Sequence, residues 1–142
     1  MNHCQPYLSA AALGVEDWER NELIALASRL LNEDVALDMT RAASDCGSVG
    51  CVGGHMALAH GMSALGARRY VQDAAQADSA LAPLFFPDLT VNKAHPGWRA
   101  RPVEAAHAIL NFLTTGAPDW DGAMGARAAS RRRTRSNVMA PA

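Results

Sequence analysis

Hydrophobic residues recur at helical spacing in three stretches of the chain and run almost without interruption through a fourth. From Val15 to Asn32, the residues Leu23, Ala27, Leu30 and Leu31, with Ile24 and Leu26 beside them, line one side of a helix. Glu16, Asp17, Glu19 and Glu22 put negative charge at its start, where the helix dipole favours it. Before it, Met1 to Gly14 carries Pro6 and Gly14 and no sustained period, which predicts an irregular lead-in with a short helical turn over Leu8 to Leu13. After it, Glu33 to Asp45 reads as a loop. Val35, Leu37 and Met39 alternate there with Ala36, Asp38 and Thr40 as a brief extended piece would, and Leu37 and Met39 tack it to the core.

Ser48 is placed to cap a helix from Val49 to about Gly61. On that helix Gly50, Gly54, Ala57 and Gly61 form one stripe, along which a neighbouring backbone can approach closely. The adjacent stripe is Cys51, His55, Leu58 and Met62, and a helix apolar nearly all round belongs in an interior. Ala67 to Ala82 predicts a third helix, with Tyr70, Ala74, Ala77 and Leu81 on one face and Pro83 and Pro87 after it. Phe85, in the turn Leu84-Phe85-Phe86, is expected to plug the core. Asp88 to Arg101 reads as a loop. Pro102 suits the first position of a fourth helix, with Val103, Ala106, Ile109, Leu110 and Leu113 as its apolar stripe, Gly116 as its C-cap and Trp120 folding back as a last plug.

These elements predict an all-α fold: a compact bundle of about four helices around a buried glycine-rich central helix. The 142 residues suit one core, placed at residues 1–121, followed by a disordered Arg-rich tail over residues 122–142. Aromatic residues are only 6% of the chain, so Ala, Leu, Val and Met must fill the interior. The net charge of -1 hides an asymmetry. Through Asp121 the chain has 8 Lys and Arg against 14 Asp and Glu, whereas the remainder has 5 Arg and no acid. An acidic body therefore precedes a basic tail, in which Arg131, Arg132, Arg133 and Arg135 can meet nucleic acid through its phosphates, or the acidic body itself. No aromatic residues interleave with them, which favours a solvated tail. The absence of a long apolar stretch and of a basic, then apolar, leader predicts a cytoplasmic protein without a membrane span.

Chemistry concentrates in one segment, Cys46 to His55. Cys51 and His55 lie one helical turn apart and Cys46 just before the helix, so the three can be imagined around zinc. A fourth ligand would have to be His60, His107 or Asp45, and His60 points roughly 140° away from His55 on a helix. The spacing matches no standard zinc pattern. The favoured reading is that both cysteines are small buried hydrophobes and His55 packs or caps, with no cofactor. A Cys46–Cys51 disulfide and a Cys nucleophile with His55 as base are the alternatives. Gly47-Ser48-Val49-Gly50 before a helix also invites an anion, but it lacks the Lys and the preceding strand of a phosphate-binding loop.

The run Asp45-Cys46-Gly47-Ser48-Val49-Gly50-Cys51-Val52-Gly53-Gly54-His55, with Leu84-Phe85-Phe86-Pro87, the segment Ala105 to Leu113, Gly116 and Asp119-Trp120, resembles a group of uncharacterised small proteins of bacteria and phages. They share a Cys-Gly-Thr/Ser-x-Gly/Ala-Cys-x-x-Gly core, a Leu-Phe-x-Pro turn and a terminal Gly-x-x-Asp-Trp. The resemblance spans about Leu37 to Trp120 and carries no established activity. It implies His or Trp at the position of His55, which argues against an obligatory metal ligand there. Its phage association implies a host-directed binding protein, such as an inhibitor of a bacterial defence or nucleic-acid machine. The functional expectation is therefore a non-enzymatic helical protein-interaction module with a protein partner, and a metal- or thiol-dependent activity at Cys46, Cys51 and His55 is the competing one.

Overall fold

The two longest helices supply the main contact of the fold. In the computed structural model, which describes residues 6–44, 47, 49–88 and 95–125, α1 spans Ala10–Leu13 and α2 Asp17–Leu31. Ser9 caps α1 by accepting the Ala12 N–H, and Gly14 ends it in the left-handed conformation. At the start of α2, Glu19 Oε1 accepts the Glu16 N–H at 2.8 Å, so the acidic first turn also satisfies backbone. Leu23, Leu26, Ala27 and Leu30 are buried, as the apolar period requires.

Two two-residue strands follow, β1 (Ala36–Leu37) and β2 (Val49–Gly50), paired in parallel with Ala36 opposite Val49 and Leu37 opposite Gly50. Between them the chain turns back on itself. Ser44 N–H donates to the Val49 carbonyl and Cys51 N–H to that of Arg41, both at 2.8 Å. The fold is thus mostly helical rather than wholly so, and the alternation over Val35 to Met39 marks a real extended piece.

The central helix is shorter than its apolar run: α3 spans Val52–Ala59. Next come α4 (Ala64–Gln76), capped by Ser63 through the Gly66 N–H, and the single turn α5 (Ala82–Phe85). The predicted helix Ala67 to Ala82 is therefore two helices, broken at Ala77 and Asp78, and Pro83 lies inside the second. A 3-10 turn at Pro96–Arg99 buries Trp98 in the segment expected as loop. Finally α6 spans Pro102–Thr115, with Pro102 opening it and Gly116 at φ 89° closing it, both as predicted.

The helix α6 buries Ala105, Ala106, Ala108, Ile109, Phe112 and Leu113, and its main partner is α2; α3 packs chiefly on α4. Phe85 is fully buried and Trp120 nearly so, its indole N–H donating to the Pro83 carbonyl at 3.0 Å. The folded body does not stop at Asp121. Residues 120–125 are helical, and Ala123 and Met124 are buried because this turn lies back on the core. The tail boundary expected at residue 122 therefore moves beyond Gly125, and the rest of the expected disordered tail is outside the described residues. No helix among the described residues is long and apolar enough to cross a membrane.

Candidate functional site

The segment that concentrates chemistry in the sequence starts α3. The N-cap is Cys51 and not Ser48: the Cys51 sulfur accepts the Gly54 N–H at 3.4 Å, because Val49 and Gly50 are spent on β2 and the helix begins after them. Cys51 is buried, and that burial pushes its thiol above the usual range, with the backbone N–H groups around it acting in the opposite sense. A thiol held protonated and covered is a poor nucleophile.

The glycines next to it answer to one neighbour. A Cβ at Gly50 would lie 2.5 Å from the Ala42 carbonyl oxygen, and one at Gly54 would overlap the same oxygen. Close approach is therefore real at both, but Gly50 belongs to β2 and the neighbour is a loop carbonyl, not a second helix. Ala57 sits in a small cluster with Ala43 and Ala67. Gly61 has open space around it and a φ of 103°, so it serves the turn after α3 and leaves the expected stripe. Gly53, absent from that stripe, is where α3 meets α5, because a Cβ there would lie 2.8 Å from the Phe85 ring. Gly47 is left-handed at φ 75°.

His55 is 6% exposed. Its Nε2 lies 2.8 Å from the Ala36 carbonyl oxygen, which can only accept, so Nε2 carries the proton and Nδ1 is the acceptor of the neutral ring. Burial lowers its pKa; the Ala36 hydrogen bond opposes this, and the Arg29 guanidinium adds to it. The ring forms part of the wall of a cavity of about 340 Å³, with Arg29 in the last turn of α2, Asp34 and Val35 beyond its end, and Leu58 on the following turn of α3. Neither Arg29 nor Asp34 has an ion-pair partner among the described residues. The sequence offered no signal for this grouping, since its members come from three separate elements.

Cys46 and Ser48 lie outside the described residues, as do Asp45, Arg131, Arg132, Arg133 and Arg135. Among the described residues no three His, Cys, Asp or Glu side chains converge as metal ligands. His60 and His107, each considered as a fourth ligand, are placed apart from His55. His60 stacks on Trp18 with ring centroids 4.1 Å apart and lies 4.0 Å from Glu22, and His107 is exposed on α6. Beside that stack, the Tyr70 hydroxyl donates to Glu19 at 2.5 Å and its ring lies 5.4 Å from that of Trp18. This polar and aromatic clamp from α2 to α3 and α4 was not anticipated; the helical placement of Trp18, Glu19 and Glu22 was its only trace in the sequence. A second unpredicted link joins His95 Nε2 to Asp121 at 2.8 Å while His95 Nδ1 accepts the Gly97 N–H.

Comparison with family models, with curated proteins and with solved structures gives no match to this chain.

Proposed function

We propose that the protein is a non-enzymatic helical module, a compact bundle of about four helices that binds a protein partner in the cytoplasm through its acidic surface. The reading is carried by the engagement of the reactive groups: the Cys51 sulfur is buried as a helix cap, and the His55 ring is held against the Ala36 carbonyl. A nucleophilic site needs an accessible thiolate with a base in reach, and this arrangement favours packing over turnover. Charge supports the nature of the partner. Glu16 and Asp17 are exposed at the start of α2, and Glu33 and Asp34 are exposed after its end. A basic surface, such as that of a bacterial defence or nucleic-acid machine, is complementary to it, and an inhibitor of that class is the form of the activity that the charge favours.

The test is affinity capture by the tagged full-length chain from bacterial lysate at low and moderate salt, beside a Glu16→Lys/Asp17→Lys variant. A specific partner retained by the wild type, weakened by salt and lost by the reversed variant is expected. Recovery of non-specific proteins alone would count against the reading. Stoichiometric zinc in the purified protein, lost on Cys51→Ala, would replace it with the metal-dependent alternative.

A further inference from the structure

We infer that the cavity between the end of α2, β1 and α3 is a binding site for a small zwitterion of the α-amino acid type with a short apolar side chain. The inference does not depend on the protein partner proposed above, although Asp34 is shared with that acidic surface. Size comes first. About 340 Å³ lies at the lower end of the range found for small-molecule sites, too large for a single water and too small for a nucleotide-sized ligand.

Charge then narrows the occupant. Arg29 and Asp34 stand on the same cavity, both exposed, and make no ion pair with each other. A lone anion would be welcomed by Arg29 and repelled by Asp34; a lone cation, a metal ion included, would meet the reverse. A molecule carrying both charges satisfies the two together, its carboxylate on the guanidinium and its ammonium on the carboxylate. The mainly polar lining also carries Val35, Leu58 and Ala59, a place for a short aliphatic side chain.

His55 supplies the fourth element. Its Nε2–H is committed to Ala36, so the ring orientation is fixed, and Nδ1 is an acceptor without a partner among the described residues. A neutral imidazole in the wall of a cavity offers one acceptor, and an ammonium group is a donor of the right kind for it. The low basicity of the ring keeps Nδ1 available as an acceptor at neutral pH.

The experiment is an NMR titration of the full chain, following the His55 ring and Leu58 methyl resonances. The probes are L-leucine, its deaminated analogue 4-methylpentanoate, its decarboxylated analogue 3-methylbutylamine, and inorganic phosphate. Saturable shifts with L-leucine are expected, with both singly charged analogues weaker by about tenfold or more, as the loss of a charge-assisted hydrogen bond implies. Arg29→Gln should weaken L-leucine and 4-methylpentanoate but spare the amine, and Asp34→Asn should weaken L-leucine and the amine but spare the acid. Both residues are exposed, so the fold survives either change, and an unaltered amide spectrum verifies it. No saturable shift from L-leucine, equal binding of a singly charged analogue or of phosphate, or indifference to both substitutions would overturn the inference.

Discussion

Gly54 stands with its α-carbon against the carbonyl oxygen of Ala42, so closely that a side chain of even one carbon would overlap it. The oxygen belongs to backbone held in place by the neighbouring hydrogen bonds of Arg41 and Ser44, so it cannot swing aside as the end of a side chain would. Gly54→Ala must therefore displace the loop or the helix, and a loss of about 3 kcal/mol or more is expected in the urea-unfolding free energy. Gly53→Ala is the control. Its obstacle is the Phe85 ring, which can shift, and the helix gains propensity from Ala, so a loss of about 1 kcal/mol is expected. Equal losses for the two would mean that the Ala42 contact does not set the position of α3.

Cys51 is expected to be silent to thiol reagents in the folded protein. In a chain with Cys4 and Cys46 replaced by Ser, labelling should proceed only as fast as the fold opens and should accelerate in urea. The raised thiol pKa also sets a sign. The folded state holds this proton more tightly than the unfolded one, so its contribution is complete below the unfolded thiol pKa, about 8.5, and is lost as pH rises above it. Cys51→Ala removes the cap acceptor at the start of α3 and should cost about 1 kcal/mol. Rapid labelling at neutral pH would show the thiol to be accessible after all.

The reach of the sequence can be judged at α6 and at β2. Pro102 and Gly116 bracket α6 because each has a backbone reason to be there, a fixed φ at the start and a left-handed φ at the end, and the apolar period between them is long. β2 is only Val49–Gly50, too short to show any period, and it runs straight into the apolar residues of α3. An unbroken apolar run does not distinguish strand from helix, so the pattern starts α3 too early and offers Ser48 as its cap. Close approach at Gly50 and Gly54 was legible from small residues four apart, but what approaches them was not: Ala42 is brought there by a loop. The His55 cavity was illegible for the same reason, since Arg29 and Asp34 reach it through tertiary structure and belong to no motif.

The Tyr70 hydroxyl should act as a partly buried tether to α2. It donates to Glu19, and burial together with that carboxylate raises its pKa far above the usual phenol value, so it stays protonated until alkali opens the fold. Tyr70→Phe keeps the ring against Phe85 and Trp18 and removes only the donor. A loss of about 1 to 3 kcal/mol in unfolding free energy is expected for this bond to a charged group. In the double variant with Glu19→Gln the second change should cost less than it does alone, because the partner is already gone. Additive costs would separate the two residues energetically despite their contact.

His55 predicts how the fold responds to acid. Its pKa is lowered in the folded state, so the unfolded chain binds the proton more readily; the stabilisation is complete above the unfolded value of about 6.5 and is lost as pH falls through the folded value. His3, His60, His95 and His107 are also present, so the test must follow His55 itself through its ring resonances, with urea midpoints measured at pH 7.5 and 5.5. The ring should remain neutral below the pH at which an unfolded histidine protonates, and His55→Gln should lose less stability between the two pH values than the wild type does. An imidazole that titrated at or above its ordinary value would mean that the Ala36 hydrogen bond outweighs burial.

Ala123 and Met124 decide where the folded body ends. Both are buried on the turn that follows Trp120, whose indole N–H is tied to the Pro83 carbonyl. Asp121, on the same turn, meets His95. A chain truncated after Asp121 exposes the surface that these two side chains cover and leaves the helical turn at residues 120–125 without its last residues. Burying one aliphatic side chain of this kind is worth about 1.5 to 3 kcal/mol, so truncation after Asp121 should lower the unfolding free energy by about 2 kcal/mol or more relative to truncation after Gly125. The comparison is made between the two truncated chains, which isolates the turn from whatever the Arg-rich segment contributes. Met124→Ala in the full chain should reproduce the larger part of the loss. If both truncated chains unfold at the same urea concentration, the last turn is not part of the cooperative core, and the boundary returns to Asp121.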